Sequence, residues 1–194
     1  MTDLADRLRE ALADVPREPL SPGDDPRLMP GEGMPAAVLI AVTDRPEPGV
    51  ILTVRRDTMR THAGQVAFPG GRIDEGEDAV AAAIREAWEE LELKPAVVTT
   101  VATLDDYRTI TNYCVTPVLA AVPPDLPLSP HDREVADWFE APLAHLLHPN
   151  NQILRSVLFE GAERHYYEIP WQGRKIWGAT AAMLVNLSRR LRWP

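Results

Sequence analysis

The segment that most restricts what this chain can fold into is a glycine turn running into an acidic helix. Phe68-Pro69-Gly70-Gly71 is followed by Asp74, Glu75 and Glu77, and then by a helical pattern from about Asp78 to Leu91. Val80, Ile84, Ala87 and Leu91 recur at spacings of four, three and four, one apolar stripe of an α-helix. On a helical wheel that stripe puts Glu86, Glu89 and Glu90 on the opposite face. Like charges one turn apart repel. Three acids so placed call for a counter-ion, and a hard divalent cation with oxygen ligands, such as Mg²⁺, is the chemical match. A Glu-rich helix face alone is ordinarily solvated surface. Here the turn before it lets the backbone approach a ligand closely, and acids lead into the helix where its dipole favours them.

Gly71, Glu77 and the run Arg85-Glu86-Ala87-Trp88-Glu89-Glu90-Leu91-Glu92-Leu93 resemble the Nudix box. One position departs from that pattern: the family has Gly where this chain has Glu92. That Gly ends the helix in a left-handed conformation, which costs a residue with a Cβ about 1 kcal/mol. The expectation is that this helix ends differently, stopped by Pro95. Leu52-Thr53-Val54-Arg55, together with the run from Arg60-Thr61-His62 through Gln65 to Gly71, resembles the additional motif of the coenzyme A pyrophosphatase branch. That branch has a small residue where this chain has Arg56. The likeness continues into Ile176-Trp177-Gly178-Ala179-Thr180-Ala181 and covers most of residues 36–185.

The resemblance implies an α/β fold, the Nudix-type α/β/α sandwich with a mixed β-sheet. It implies metal-dependent hydrolysis of a nucleoside diphosphate linked to another group, with Mg²⁺ or Mn²⁺ as cofactor. Glu86, Glu89 and Glu90 would be the metal ligands, and Gly70 would add its carbonyl. Arg85 would pair with Glu77 and hold the helix against the loop, since a guanidinium suits bidentate carboxylate pairing. Two residues compete for the role of general base: Glu89 on the helix, and Glu134 in the later stretch His131-Asp132-Arg133-Glu134. In the coenzyme A branch the substrate is coenzyme A or a derivative, cut to 3′,5′-ADP and 4′-phosphopantetheine. Arg55, Arg56, Arg60 and Arg72 crowd around His62 beside the metal loop, and Arg55, Arg60, His62 and Arg72 are the candidate substrate-binding residues. A site of acids needs such cations to hold a polyanion. Tyr107, Tyr113 and Trp171 are candidates to stack on adenine, although such rings more often pack in cores. Two other readings stay open: a Nudix enzyme for ADP-ribose, a dinucleotide or a nucleotide sugar, and a non-catalytic binding module on the same fold.

Composition narrows the partners. A net charge of −9 argues against a general nucleic-acid or anionic-membrane surface. No apolar stretch reaches the roughly 18 residues that a membrane span needs, and Met1-Thr2-Asp3-Leu4 lacks a signal-peptide pattern, so the cytoplasm is the expected location. The lone Cys114 has no internal disulfide partner and sits in an apolar run, the setting of a small buried hydrophobe.

Along the chain, Leu4, Leu8 and Leu12 predict a short amphipathic helix over residues 3–13. The Pro- and Gly-rich stretch 16–35 reads as an arm, and residues 36–194 as the Nudix domain. Relatives use such arms in dimer contacts, which leaves a homodimer open. Strands are predicted over 36–42, 50–55, 97–104, 113–122 and 135–139, a short helix over 142–147, a hairpin over 156–169 and a final helix over 177–191. Strands before and after the helices imply a sheet covered by helices.

Overall fold

The structure, a computed structural model, describes residues 3–21, 23–24, 31, 33–56, 64–159 and 161–193. Apolar runs of strand length become the central strands. β1 (Met34–Thr43) lies parallel to β7 (Tyr113–Val122) along its whole length. β5 (Thr99–Thr103) and β6 (Tyr107–Arg108) pair antiparallel to β7, so the sheet is mixed. The other side of β1 meets β2 (Gly49–Arg55) and β4 (Gly70–Arg72), and β2 pairs with β3 (Val66–Ala67) and β8 (Val135–Pro142).

Both central strands are buried on both faces, and the period-two alternation of side chains divides the core. Ala37, Leu39 and Ala41 of β1, with Val118, Ala120 and Val122 of β7, pack under helix α2 (Ala79–Leu91). Ala36, Ile40 and Val42 face the other way. They share a core with Leu4 and Leu8 of α1 (Leu4–Ala11), with α3 (Leu143–Leu147) and with α4 (Gly178–Arg190). This is the expected α/β/α sandwich. A second antiparallel sheet of β9 (Ile153–Phe159), β10 (Ala162–Trp171) and β11 (Arg174–Trp177) leads into α4. Among the described residues no helix is long and apolar enough to cross a membrane.

A fork in the sheet creates the site. β1 and β2 pair at Val42–Val50 and then diverge. Residues 66–72 cross the gap: β3 pairs with β2 at Thr53–Ala67 and Val54–Val66, and β4 pairs with β1 at Val38–Gly70 and Ala37–Gly71. Between them the Pro69 carbonyl accepts from the Leu39 amide at 2.8 Å. The turn therefore delivers Gly70 and Gly71 to the foot of α2.

α2 starts where the sequence predicts it. Asp78 is its N-cap, accepting from the Ala81 amide at 2.8 Å. Two expectations are corrected here. The buried side is formed by Ala82, Ala83, Ala87 and Leu91, while Val80 and Ile84 are half-buried on its flank. The small alanines let the helix seat closely on the sheet. That seating carries Glu90 inward beside Ala87, only 3% exposed, rather than onto an outer acidic face. The helix is also not ended by Pro95. Glu92 itself adopts the left-handed conformation (φ 55°, ψ 28°), and the Glu92 and Leu93 amides donate to the Trp88 and Ala87 carbonyls. The family's glycine geometry is kept without the glycine.

The segment read as an arm is tied to the body at the described residues. The Asn186 side chain exchanges hydrogen bonds with the backbone of Ser21, and the Asp24 amide donates to the Arg108 carbonyl. The Asp24 carboxylate accepts from the Tyr107 hydroxyl at 2.5 Å and from the Ile110 amide at 2.6 Å.

Candidate active site

The glycine turn packs against the acidic helix and against β1 through contacts that only glycine allows. A Cβ on Gly71 would stand 2.4 Å from the Glu86 carboxyl carbon, and one on Gly70 would stand 2.4 Å from the Ala37 carbonyl oxygen. Arg85 binds the two segments together. Its Nε and Nη2 donate to the two oxygens of Glu77, both at 3.0 Å, and Nη2 also donates to the Arg72 carbonyl at 2.9 Å. This is the pairing the sequence leads one to expect, a guanidinium clamp from helix to loop. Its hydrogen bond to Glu77 holds that carboxyl below its ordinary pKa and raises the guanidinium. The remaining nitrogen, Nη1, donates to Glu86 at 2.9 Å and to Glu89 at 3.4 Å.

The three glutamates are not equivalent. Glu89 is exposed, Glu86 is partly buried, and Glu90 is enclosed. Burial pushes Glu90 up to about 8, offset in part by Arg55 and the Gly70 amide and reinforced by the charges of Glu86 and Glu134. Burial also raises Glu86, against the pull of Arg85. Glu90 Oε2 is buried with no hydrogen-bond partner among the described residues. A buried acceptor left in that state is costly unless something fills the place.

Two long-range contacts complete the cluster. Arg55 Nη1 lies 3.9 Å from Glu90 Oε1. The pairing of β2 with β8 shifts register between Val54 and Arg55, a bulge of the kind that re-aims a side chain. The loop bearing Glu134 is fastened to the C-terminal end of α2: the His131 amide donates to the Glu90 carbonyl at 2.8 Å and the Ser129 amide to the Leu91 carbonyl at 2.9 Å. Those carbonyls have no partner within the helix. Satisfying them places the charge of Glu134 where it raises both Glu86 and Glu90.

Among the described residues, no three carboxylate, imidazole or thiol groups stand ready as a cation cage, and Arg85 holds oxygens of two of the three helix acids. The donor set nonetheless fits a divalent cation. It offers hard carboxylate oxygens, one of them buried and unpartnered, beside a turn whose glycines leave space for the Glu86 carboxylate. Glu86, Glu89, Glu90 and the Gly70 carbonyl are the groups that could hold it.

Beside this corner lies a cleft of about 1240 Å³, lined by Arg55, Gln65, Gly70, Gly71 and Arg72 where it borders the glycine turn. Arg72 is exposed and donates to the Tyr113 hydroxyl at 3.3 Å, its guanidinium 5.8 Å from that ring's centre. Arg55, Arg72 and Tyr113 are thus brought together, while Arg60 and His62 lie outside the described residues. Arg56 turns away and donates to the Asp132 carbonyl. Tyr107 and Trp171 are not cleft residues. Tyr107 is buried against Asp24, and Trp171 packs on His145 with ring centres 4.7 Å apart. Reasoning from sequence missed the far wall, where Arg164 and Tyr166 of β10 and Trp177 of β11 face the cleft. The cationic and aromatic run Arg164-His165-Tyr166-Tyr167 was the signal, but it does not reveal what the hairpin covers.

Comparison with known proteins agrees with this geometry. The sequence matches the NUDIX domain family over residues 33–160. It is 41% identical over 158 residues to an uncharacterized Nudix hydrolase, NudL, of Escherichia coli O7:K1, an alignment covering 80% of this chain and 82% of that protein. The corresponding protein of Cronobacter sakazakii is 40% identical over 157 residues, with the same coverage of each. Among solved structures, the Nudix hydrolase RenU of M. smegmatis is similar at 25% identity and a TM-score of 0.51, covering 58% of this chain and 72% of that one. With a box intact at Gly71, Glu77, Arg85, Glu86, Glu89 and Glu90 and a helix-covered mixed sheet presenting it, the chain belongs to the Nudix hydrolase family and is a pyrophosphatase.

Proposed function

We propose that this enzyme hydrolyses the diphosphate bond of coenzyme A and its derivatives, releasing 3′,5′-ADP and 4′-phosphopantetheine. One observation carries the reading: Arg55 and Arg72 line a single cleft together with Gly70 and Gly71, the latter packed against Glu86 of the acidic helix. The segments Leu52–Arg55 and Gln65–Gly71, which carry the branch resemblance in the described residues, border that cleft. An anion with several phosphates suits an acidic site only where cations flank it.

Nudix hydrolases generally use divalent metals, and here Mg²⁺ or Mn²⁺ would be held by Glu86, Glu89, Glu90 and the Gly70 carbonyl. Bound there, the ion would acidify a water and offset charge on the phosphate oxygens. The chain's own groups do the rest. Arg55 and Arg72 hold the phosphates. Arg85, clamped to Glu77, keeps α2 and the glycine turn in register. The water oxygen bonds to phosphorus, the bridging P–O bond breaks, and the bridging oxygen leaves on the other phosphate. Glu89 and Glu134 are the two candidates to take the water's proton, the first on the helix and the second on the loop fastened to its end. A cytoplasmic location goes with this reading, because the substrate is small and soluble.

The test is a substrate panel with Mg²⁺ and with Mn²⁺: coenzyme A, dephospho-coenzyme A, ADP-ribose, NADH and nucleotide sugars, with products identified by mass. Coenzyme A should give the highest kcat/KM. A preference for ADP-ribose or a nucleotide sugar would refute the assignment.

A further inference from the structure

Two arginines face the three acids of α2, and they are held very differently. Arg85 donates to Glu86 at 2.9 Å and to Glu89 at 3.4 Å, while its other nitrogens are fixed by both Glu77 oxygens and the Arg72 carbonyl. Arg55 attends Glu90, with Nη1 3.9 Å from Oε1, too far for a hydrogen bond. Its Nε is buried without a hydrogen-bond partner among the described residues, and so is the second oxygen of Glu90. A buried pair left incomplete on both sides is weakly held. The backbone beneath it is firm: the Arg55 amide donates to the Gln65 carbonyl at 2.9 Å, and the Gly64 amide donates to the Arg55 carbonyl at 3.1 Å. Arg55 can therefore change partners by side-chain rotation alone. It also lines the cleft with Gly70, Gly71 and Arg72, so one side chain borders both the enclosed acid and the cleft. Together the two guanidinium groups bring two positive charges to the acids, the charge of one divalent cation.

We propose that Arg55 is an exchangeable counter-ion of Glu90: it attends the acid before a divalent cation binds, yields it to the cation, and turns its guanidinium to the substrate's diphosphate. The inference rests on the readings above that Glu90 is a metal ligand and that Arg55 holds phosphate, and it applies whichever nucleotide is cut. Arg55 cannot serve both partners fully at once. While Glu90 lacks a cation, its carboxylate competes with a diphosphate for the guanidinium. Once Glu90 is engaged by a cation, Arg55 stands beside like charge, and an anion in the cleft is its best partner. Each ligand thereby strengthens the binding of the other, and part of that coupling runs through a residue of β2 rather than through direct contact of metal and phosphate. Arg85 cannot play this part, because its contacts to Glu77 and Arg72 hold it in place.

The experiment is a set of calorimetric titrations on wild type, Arg55→Met, Glu90→Gln and the double variant. Mg²⁺ is titrated alone, and α,β-methylene-ADP, a diphosphate that cannot be cut, is titrated in EDTA and in Mg²⁺. The titrations are run at about pH 9, above the value of about 8 to which burial carries Glu90. Thermal melts check each fold, and Arg55→Gln replaces Arg55→Met should that variant not fold. Without nucleotide, Arg55→Met should bind Mg²⁺ at least about fivefold more tightly than wild type, the effect of removing one charge at this distance. In EDTA the same variant should bind the nucleotide about as wild type does, whereas in Mg²⁺ it should bind it roughly tenfold or more weakly. Glu90→Gln in EDTA should bind the nucleotide more tightly than wild type, and the double variant should lose that gain. A loss of nucleotide affinity in Arg55→Met that is equal in EDTA and in Mg²⁺, with Mg²⁺ affinity unchanged, would overturn the exchange and leave Arg55 a plain phosphate ligand. Mg²⁺ affinity untouched by Glu90→Gln would instead sink the metal-ligand reading beneath it, and nucleotide affinity untouched by Arg55→Met in Mg²⁺ would sink the phosphate reading.

Discussion

Glu90 gives the most exacting test of the site, because the structure predicts the sign of its effect on stability as well as its magnitude. Its carboxyl is 3% exposed, and burial carries it up to about 8. For an acid raised in the folded state, the folded protein holds the proton more tightly than the unfolded one. Stability is then fully present below the unfolded value near 4.5 and falls as pH rises through the folded value near 8. At 1.36 kcal/mol for each unit of separation the full effect would approach 5 kcal/mol; allowing for relaxation around the charge, about 2–4 kcal/mol is expected between roughly pH 5 and pH 9. Glu90→Gln keeps the shape and removes the ionisation. In EDTA, urea denaturation across that range should show wild-type stability falling with pH relative to the variant, which should be the more stable protein at the alkaline end. A saturating divalent cation should stabilise the wild type increasingly as pH rises, because it must displace the proton, and should do so far less in the variant. Parallel pH profiles for the two proteins in EDTA would refute the burial of an ionisable Glu90.

Three other outcomes follow from the geometry. Gly71→Ala should melt within about 1 kcal/mol of wild type, since the atom it strikes is the end of a flexible Glu86 side chain, yet should lose roughly a hundredfold or more in kcat because that carboxylate is displaced. Glu92→Gly should leave the melting temperature unchanged or raise it, by at most about 1 kcal/mol in stability. Relief of the left-handed strain is worth about 1 kcal/mol, and the added freedom of the unfolded chain takes back about 0.4–1 kcal/mol; a clear drop would contradict the αL helix end. Arg85→Lys, read by steady-state kinetics, should cut kcat more than it changes KM, because lysine cannot span both Glu77 oxygens and the Arg72 carbonyl.

The sequence by itself determined whatever depends on neighbours along the chain. Alternation and apolar runs marked β1, β2 and β7, the helical period marked α2, and Asp78 supplied its cap. The clamp from Arg85 to Glu77 was also legible, because eight residues of turn and helix bring those groups back together. Tertiary structure decided what stands across from each residue. The helical period alone set Glu90 among the outer acids, but the alanines of α2 seated it under the sheet's fork, with Arg55 supplied by a bulge from another strand. Glu134 reached the site only because its loop satisfies the open carbonyls at the end of α2. The far wall of the cleft came from β9, β10 and β11, more than 60 residues beyond the end of α2. Periodicity records which side of an element is apolar; burial and charge also depend on which distant element covers that side, and no local pattern carries that information.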